Sequence, residues 1–285
     1  MKPNDRRGEP GSAAAPVTRI LLITILGGLL LSGCQDFFVY HPTKDDEETL
    51  LAVAKERNLD PWPRAEKERM GWHAPSPAGE EAKRVIIFHG NGGQAVDRDH
   101  YVRGFQGPRA GGSWEVYILE YPGYGSRPGN PSEAALLNAA REAVEYLLRE
   151  SSEKPLYVVG TSLGSGVASR IASEYPDQIP ALLLITPFTN IEDVGAATFP
   201  RFLVRAILKD RYDNEKALSQ YTGRLGVLLA GDDRVVPTEI GRRLYEGYDG
   251  PKRLWIQPGA GHNTLDYGPY SEFWSEITRF LVGRG

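Results

Sequence analysis

Leu156-Tyr157-Val158-Val159-Gly160-Thr161-Ser162-Leu163-Gly164-Ser165-Gly166-Val167 is the stretch on which the reading of this chain turns. An apolar run enters it, small residues crowd its middle, and helical composition begins at Val167. Gly-x-Ser-x-Gly between a strand and a helix predicts a turn so sharp that the positions two before and two after Ser162 have no room for side chains. Such a turn lifts the serine hydroxyl above the sheet. The helix behind it offers backbone N–H groups to a developing anion. By itself the pentapeptide is a weak signal, and its weight comes from the flanking strand and helix.

Further short apolar runs lie on both sides of this stretch, at 84–89, 115–121, 181–186, 226–230 and 253–257. Most are continuous rather than alternating, as suits strands covered on both faces of a parallel sheet. Helical patterns separate them. The clearest begins at Asn130-Pro131-Ser132-Glu133, where Asn130 is expected to cap, Pro131 to open the first turn and Glu133 to reach back. Residues 50–57 predict another helix, and Phe273, Ile277 and Phe280 mark a last one. Strands alternating with helices predict an α/β fold with a doubly wound, mostly parallel sheet. Region 187–223 breaks the alternation with two short helical pieces and reads as a small cap. The Pro-rich stretch 61–77 reads as a surface lead-in.

A serine at its ordinary pKa is a poor nucleophile and needs a base. Of the five histidines, His41 and His73 fall in the linker and lead-in and are expected at the surface. His100 sits in a polar helix start with Asp97 and Asp99 and reads as solvated. His89 ends a strand and reads as a structural hydrogen-bonder. His262, in Pro258-Gly-Ala-Gly-His262-Asn263, follows the last strand in a Gly-rich loop, which suits a base. A carboxylate must then lie between serine and histidine in the chain. Gly231-Asp232-Asp233-Arg234-Val235-Val236-Pro237 follows a strand, and turn chemistry alone does not choose between the two aspartates. The oxyanion donors are expected to be the N–H of Leu163 and that of Asn91, within His89-Gly-Asn-Gly-Gly93.

These places, in this order, resemble the α/β-hydrolase superfamily, in its small-lid esterase, lipase and serine-aminopeptidase-like type. The resemblance runs over about 83–281. It includes Glu120-Tyr-Pro-Gly-Tyr-Gly-Ser126, Pro131-Ser-Glu133, Asp233-Arg-Val-Val-Pro237 and Gly261-His262. Thr186-Pro-Phe-Thr189, Phe199-Pro200 and Lys209-Asp-Arg-Tyr-Asp213 are similar to the short cap of membrane-associated members. The resemblance implies a triad of Ser162, Asp233 and His262, with Asp232 open as the acid because of a one-residue difference in spacing. It implies cleavage of an acyl ester or thioester through an acyl-enzyme, without metal or organic cofactor. Phe188, Phe199, Phe202, Leu203 and Ile207 are candidates to line an acyl pocket. An aminopeptidase-like peptidase is the neighbouring reading, with Glu192 and Asp193 as the charges that would hold a substrate amine. A non-catalytic envelope lipoprotein is the reading from another class.

The chain has 285 residues and a formal net charge of -4, which argues against a nucleic-acid partner, since phosphate binding wants a basic patch. Its one cysteine is Cys34, so no disulfide within the chain is possible. Lys2, Arg6, Arg7 and Arg19 precede an apolar run at 20–31, too short for a membrane span and suited to an export signal. Leu31-Ser32-Gly33-Cys34 resembles the lipobox of bacterial lipoproteins. That resemblance implies a signal peptide over 1–33, a diacylglycerol on the Cys34 thiol and an acyl chain such as palmitate on the new amino terminus. An uncleaved anchor helix is the alternative. The expected organisation is signal peptide 1–33, linker and lead-in 34–77 and a hydrolase domain over 78–285. The expected location is the cell envelope, lipid-anchored on a membrane and facing the periplasm or exterior, with the outer membrane expected if the cell has two membranes.

Overall fold

The computed structural model describes residues 39–63, 68–76, 82–111 and 113–284. Cys34 and the run 20–31 lie outside the described residues, so the lipobox reading is carried forward only as a proposal. Among those described, no helix is long and apolar enough to cross a membrane. In chain order the strands are β1 His41–Pro42, β2 Asp60–Trp62, β3 Gly71–Ala74, β4 Lys83–Phe88, β5 Gly92–Gly93, β6 Trp114–Leu119, β7 Leu156–Thr161, β8 Ala181–Ile185, β9 Arg224–Ala230 and β10 Lys252–Gln257. The helices are α1 Glu47–Glu56, α2 Asp99–Phe105, α3 Glu133–Glu150, α4 Leu163–Glu174, α5 Ile191–Ala196, α6 Arg201–Ile207, α7 Asn214–Leu218, α8 Thr238–Glu246 and α9 Phe273–Leu281.

Eight strands form one sheet in the order β10-β9-β8-β7-β4-β6-β3-β2. From β10 to β6 every pairing is parallel, and β3 and β2 add an antiparallel edge. The apolar runs are continuous because each strand feeds two cores. Ile86, Phe88, Val158, Leu182 and Leu184 face the core beneath α3 and α4. Val85, Ile87, Val159, Leu183 and Ile185 face the one beneath α1, α2 and α9. A period of two thus disappears from the sequence when both faces are buried. Chain direction across the sheet reverses at β4, with β6 on one side and β7 on the other. Ligands of open α/β sheets bind at the carboxyl ends of strands beside such a switch point.

Two expectations need correction. The lead-in is not a surface segment: β2 and β3 extend the sheet, and Trp72 is fully buried. Its proline is legible in hindsight, because Pro61 lies on the outermost strand, where a missing donor costs no ladder bond. Helix α3 is capped by Ser132, whose hydroxyl accepts from Ala135 N–H at 3.1 Å, and not by Asn130. Pro131 packs instead against the turn at Gly123, where an added Cβ would stand 2.8 Å from its Cδ. The insertion between β8 and β9 is present, but it holds three short helices, α5, α6 and α7, where two were expected.

Candidate active site

Ser162 joins β7 to α4 with φ 51 and ψ -120, in the left-handed region that a residue with a Cβ rarely adopts. Strain of this kind is worth about 1–3 kcal/mol and persists only where the surroundings enforce it. Here they do. A Cβ at Gly160 would stand 2.5 Å from the Cβ of Ala168, and one at Gly164 would stand 2.0 Å from the carbonyl oxygen of Phe88. The Ser162 N–H is donated to Ile185 O at 2.9 Å, which ties the turn to β8. Both glycines are therefore required by contact, as the pentapeptide suggested.

His262 lies in the loop after β10. Its Nε2 is 3.0 Å from Ser162 Oγ, and its Nδ1 is 2.7 Å from Asp233 Oδ2. Asp233 Oδ1 accepts the N–H groups of Val235 and Val236, each at 2.9 Å. An ionised carboxylate can only accept, so Nδ1 carries the imidazole proton and Nε2 is free to take one from the serine. The choice of aspartate is made by the backbone. Gly231 N–H and Asp232 N–H are donated to Gln257 O and Ala260 O, at 2.9 and 2.8 Å. These bonds bind the acid loop to the base loop and leave the Asp232 side chain exposed, while Asp233 turns inward. Sequence spacing left the acid open between neighbours; loop pairing decides for Asp233.

Leu163 opens α4, so its N–H lacks an intrahelical partner. Asn91 lies beyond β4, and both residues line the same cavity as Ser162. The Asn91 loop is held from a direction the sequence reading missed. Asn91 Nδ2 donates to Val39 O at 3.0 Å, and its carbonyl accepts from His41 N–H at 3.2 Å and Tyr124 OH at 2.8 Å. The segment read as linker thus gives Val39 to the wall of the site, and β1 after it pairs with β5. Its signal was the apolar run Phe37 to Tyr40 inside an otherwise polar stretch.

The cavity has a volume of about 430 Å³. Of the residues expected to line it, Phe188, Phe199, Leu203 and Ile207 do so, joined by Val194, Val204 and Val236. Phe202 does not; it points outward and is 70% exposed. Glu192 and Asp193, the charges expected to hold a substrate amine, are paired with arginines instead. Arg201 and Arg205 both reach Glu192 Oε1, at 2.9 and 2.8 Å, and hold its carboxyl below the usual range. Arg243 pairs with Asp193, and Arg201 reaches it at 2.8 Å.

The other histidines are only partly where the sequence put them. His41 is exposed, but His73 is half-buried on β3 and stacks on Tyr117 at 4.4 Å. His100 is not solvated: it packs between the rings of Tyr101 and Tyr267, at 4.3 and 4.8 Å. His89 is fully buried, with Nδ1 2.7 Å from Gly90 O.

The family model for the alpha/beta hydrolase fold matches residues 83–220. An uncharacterized protein of Mycobacterium tuberculosis is 32% identical over 214 residues, 74% of each chain. This chain belongs to the α/β-hydrolase superfamily. A lysophosphatidylserine lipase of Danio rerio is 29% identical over 202 residues, 65% of this chain and 52% of its own, so the match spans about half of that relative. Among solved structures, an esterase of Pyrococcus furiosus superposes with a TM-score of 0.62 at 17% identity, over 86% of this chain and 97% of its own. That likeness shows the α/β-hydrolase fold, with its mostly parallel central sheet.

Proposed function

We propose that this α/β hydrolase is a serine hydrolase that cleaves the acyl ester or thioester of a lipid or small amphiphile. The observation that carries the reading is the unbroken chain Asp233–His262–Ser162, which ends on a serine that lines an apolar cavity. His262 Nε2 takes the Ser162 proton as Oγ attacks the acyl carbonyl. The N–H groups of Leu163 and Asn91 meet the oxyanion of the tetrahedral intermediate, each worth about 10²–10³ in turnover. The imidazolium, stabilised by Asp233, then returns its proton to the leaving alcohol or thiol. Water activated by the same nitrogen releases the acid from the acyl-enzyme.

Relatedness to lysophosphatidylserine lipases and the aliphatic lining both favour an acyl chain over a peptide. The aminopeptidase reading loses support because Glu192 and Asp193 are already satisfied by arginines. We further propose that Cys34 carries a lipid after signal cleavage, which would hold the hydrolase on a cell-envelope membrane, facing the periplasm or exterior.

A fluorophosphonate probe tests the enzyme reading. It should label the wild-type chain, with no labelling of Ser162→Ala. A p-nitrophenyl acyl ester should turn over far faster than an aminoacyl anilide. Equal labelling of Ser162→Ala would remove the assigned nucleophile, and an unlabelled wild type would favour a binding role.

A further inference from the structure

Among the described residues most large apolar side chains are buried, but six are substantially exposed. Four of the six stand together: Phe202 is 70% exposed, Phe199 57%, Val235 54% and Leu203 44%. Phe199, Leu203 and Val235 line the mouth of the cavity that holds Ser162, and Phe202 adjoins Leu203 on α6. Single exposed apolar residues need no explanation, whereas a contiguous patch marks a place of interaction.

Helix α6 is oriented to make this patch. Val204 is its buried residue and packs on Gly195, where an added Cβ would stand 2.8 Å from Val204 Cγ1. At about 100° per residue, Phe202 lies roughly opposite Val204 and so points away from the protein. Leu203 and Ile207 occupy the flank toward the cavity, and Arg201 and Arg205 the other flank. The outward ridge is apolar and its border is cationic. Arg201, Arg205 and Arg211 have side chains 51%, 64% and 64% exposed, yet all three share Glu192, whose side chain is only 12% exposed. The positive charge is displayed and much of its compensation lies beneath. An apolar ridge fringed by arginines is complementary to an anionic lipid surface, with rings at the acyl boundary and guanidiniums among headgroups.

The chain enters the fold at the same place. Val39 lines the cavity, and the Tyr40 hydroxyl donates to Asp210 at 2.6 Å and lies 2.9 Å from the Tyr212 hydroxyl, at the end of the cap. Cys34 precedes Val39 by five residues, a span of at most about 18 Å even when extended. A lipid on Cys34 would therefore keep the bilayer beside the cavity mouth.

We infer that the outer face of the cap at Phe199, Phe202 and Leu203, together with Val235 of the acid loop, seats the domain on an anionic bilayer so that the cavity opens directly into lipid. This rests on the acyl-lipid reading for its purpose and on lipidated Cys34 for its tether; the patch and its charge stand without either. An acyl chain then passes from the bilayer to Ser162 without crossing water.

All five native tryptophans are buried, so Phe202→Trp places a single exposed indole on the patch. The full chain carrying Phe202→Trp is mixed with vesicles of phosphatidylcholine, with and without phosphatidylglycerol, whose acyl chains are brominated. Emission should shift to the blue and be quenched well beyond wild type, several-fold more with phosphatidylglycerol present. An indole that stays red-shifted and unquenched on both vesicles overturns the inference, whether or not the protein reacts with fluorophosphonate. Activity supplies a second readout. Phe202→Glu should lower turnover of a long-chain ester in the same vesicles at least about tenfold, with a soluble short-chain ester kept within about twofold. An equal loss on both substrates, or none on either, also overturns it.

Discussion

Two histidine–carboxylate pairs lie near the carboxyl ends of the strands, and they have opposite surroundings. Asp233 and His262 meet at 2.7 Å, and His262 Nε2 stands 3.0 Å from the hydroxyl of Ser162, which lines the cavity. His89 Nε2 and Glu120 Oε1 stand 3.7 Å apart, neither side chain exposed at all, too far for a hydrogen bond. Burial pushes the His89 pKa down, against the pull of Glu120, so its imidazole is neutral at physiological pH. Glu120 spends its carboxylate on the Ala95 N–H, 3.1 Å from each oxygen, and its backbone carbonyl accepts from Arg127 at 2.7 Å. Tyr121 stacks on the His89 ring at 4.4 Å and donates its hydroxyl to the His89 carbonyl at 3.0 Å. On the proposed mechanism the same two residue types make a proton-transfer pair where a reacting group has access, and a brace for the Asn91 loop where it has none. Access and distance separate the roles; residue type does not.

Substitution at each pair should break the comparison in opposite ways. Asp233→Asn should lower ester turnover by about 10⁴, because the amide no longer enforces the tautomer that leaves Nε2 open. Its melting temperature should stay close to wild type, and Asp232→Asn should change turnover less than about twofold. Steady-state kinetics on the pair of variants decides this. A large loss in Asp232→Asn alone would reverse the assignment.

Glu120→Gln should produce the converse. The amide fills the same space but gives the Ala95 N–H a poorer acceptor in a buried site, a loss of about 1–3 kcal/mol in folding stability. Turnover should fall only about tenfold, in kcat with KM unchanged, as the Asn91 loop loosens while the triad stays intact. Urea unfolding and a Michaelis analysis measure the two effects side by side. Turnover abolished at native stability would make Glu120 part of the chemistry and erase the distinction.

What could be read from the sequence divides along the same line. Ser162, His262 and the acid loop were legible because each follows a strand and sits among glycines, where local chain geometry dictates what the side chain can do. The bounds of the six parallel strands were legible to within two residues, since their runs are long and apolar. The choice between Asp232 and Asp233 was not, because it depends on bonds from Gly231 and Asp232 to a loop more than twenty residues away. Strands β2 and β3 were missed for a local reason. They are short, and β2 includes a proline, which erases the alternation a half-buried strand would show. The role of Val39 as a wall of the site and the tie of Tyr40 to the end of the cap were hidden too, since their partners Asn91 and Asp210 are far away in the chain.

His100 is a third kind of histidine, and it sharpens the contrast with the smallest of these effects. It packs between the rings of Tyr101 and Tyr267, and no carboxylate compensates for its burial. Burial first, and the nearby Arg98 guanidinium second, push its pKa down to about 4, with only the Asp97 backbone pulling upward. In the unfolded chain the imidazole titrates near about 6.5. As pH falls between those values, the unfolded state takes up a proton that the folded state refuses, and stability drops. Below about pH 4 both states are protonated and the loss levels off; at pH 7.5 both are neutral and the group contributes nothing. Allowing for partial exposure, the loss from this residue between neutrality and pH 4 should be about 2 kcal/mol. Carboxylates titrate over part of the same range, so the informative quantity is the difference between two proteins. His100→Phe keeps the ring packing and removes the proton site. Its urea midpoint relative to wild type should rise steadily as the buffer moves from pH 7 to pH 4. Two curves that run parallel over that range would mean that His100 is protonated within the fold at little cost, and that burial against aromatic rings does not by itself exclude the charge.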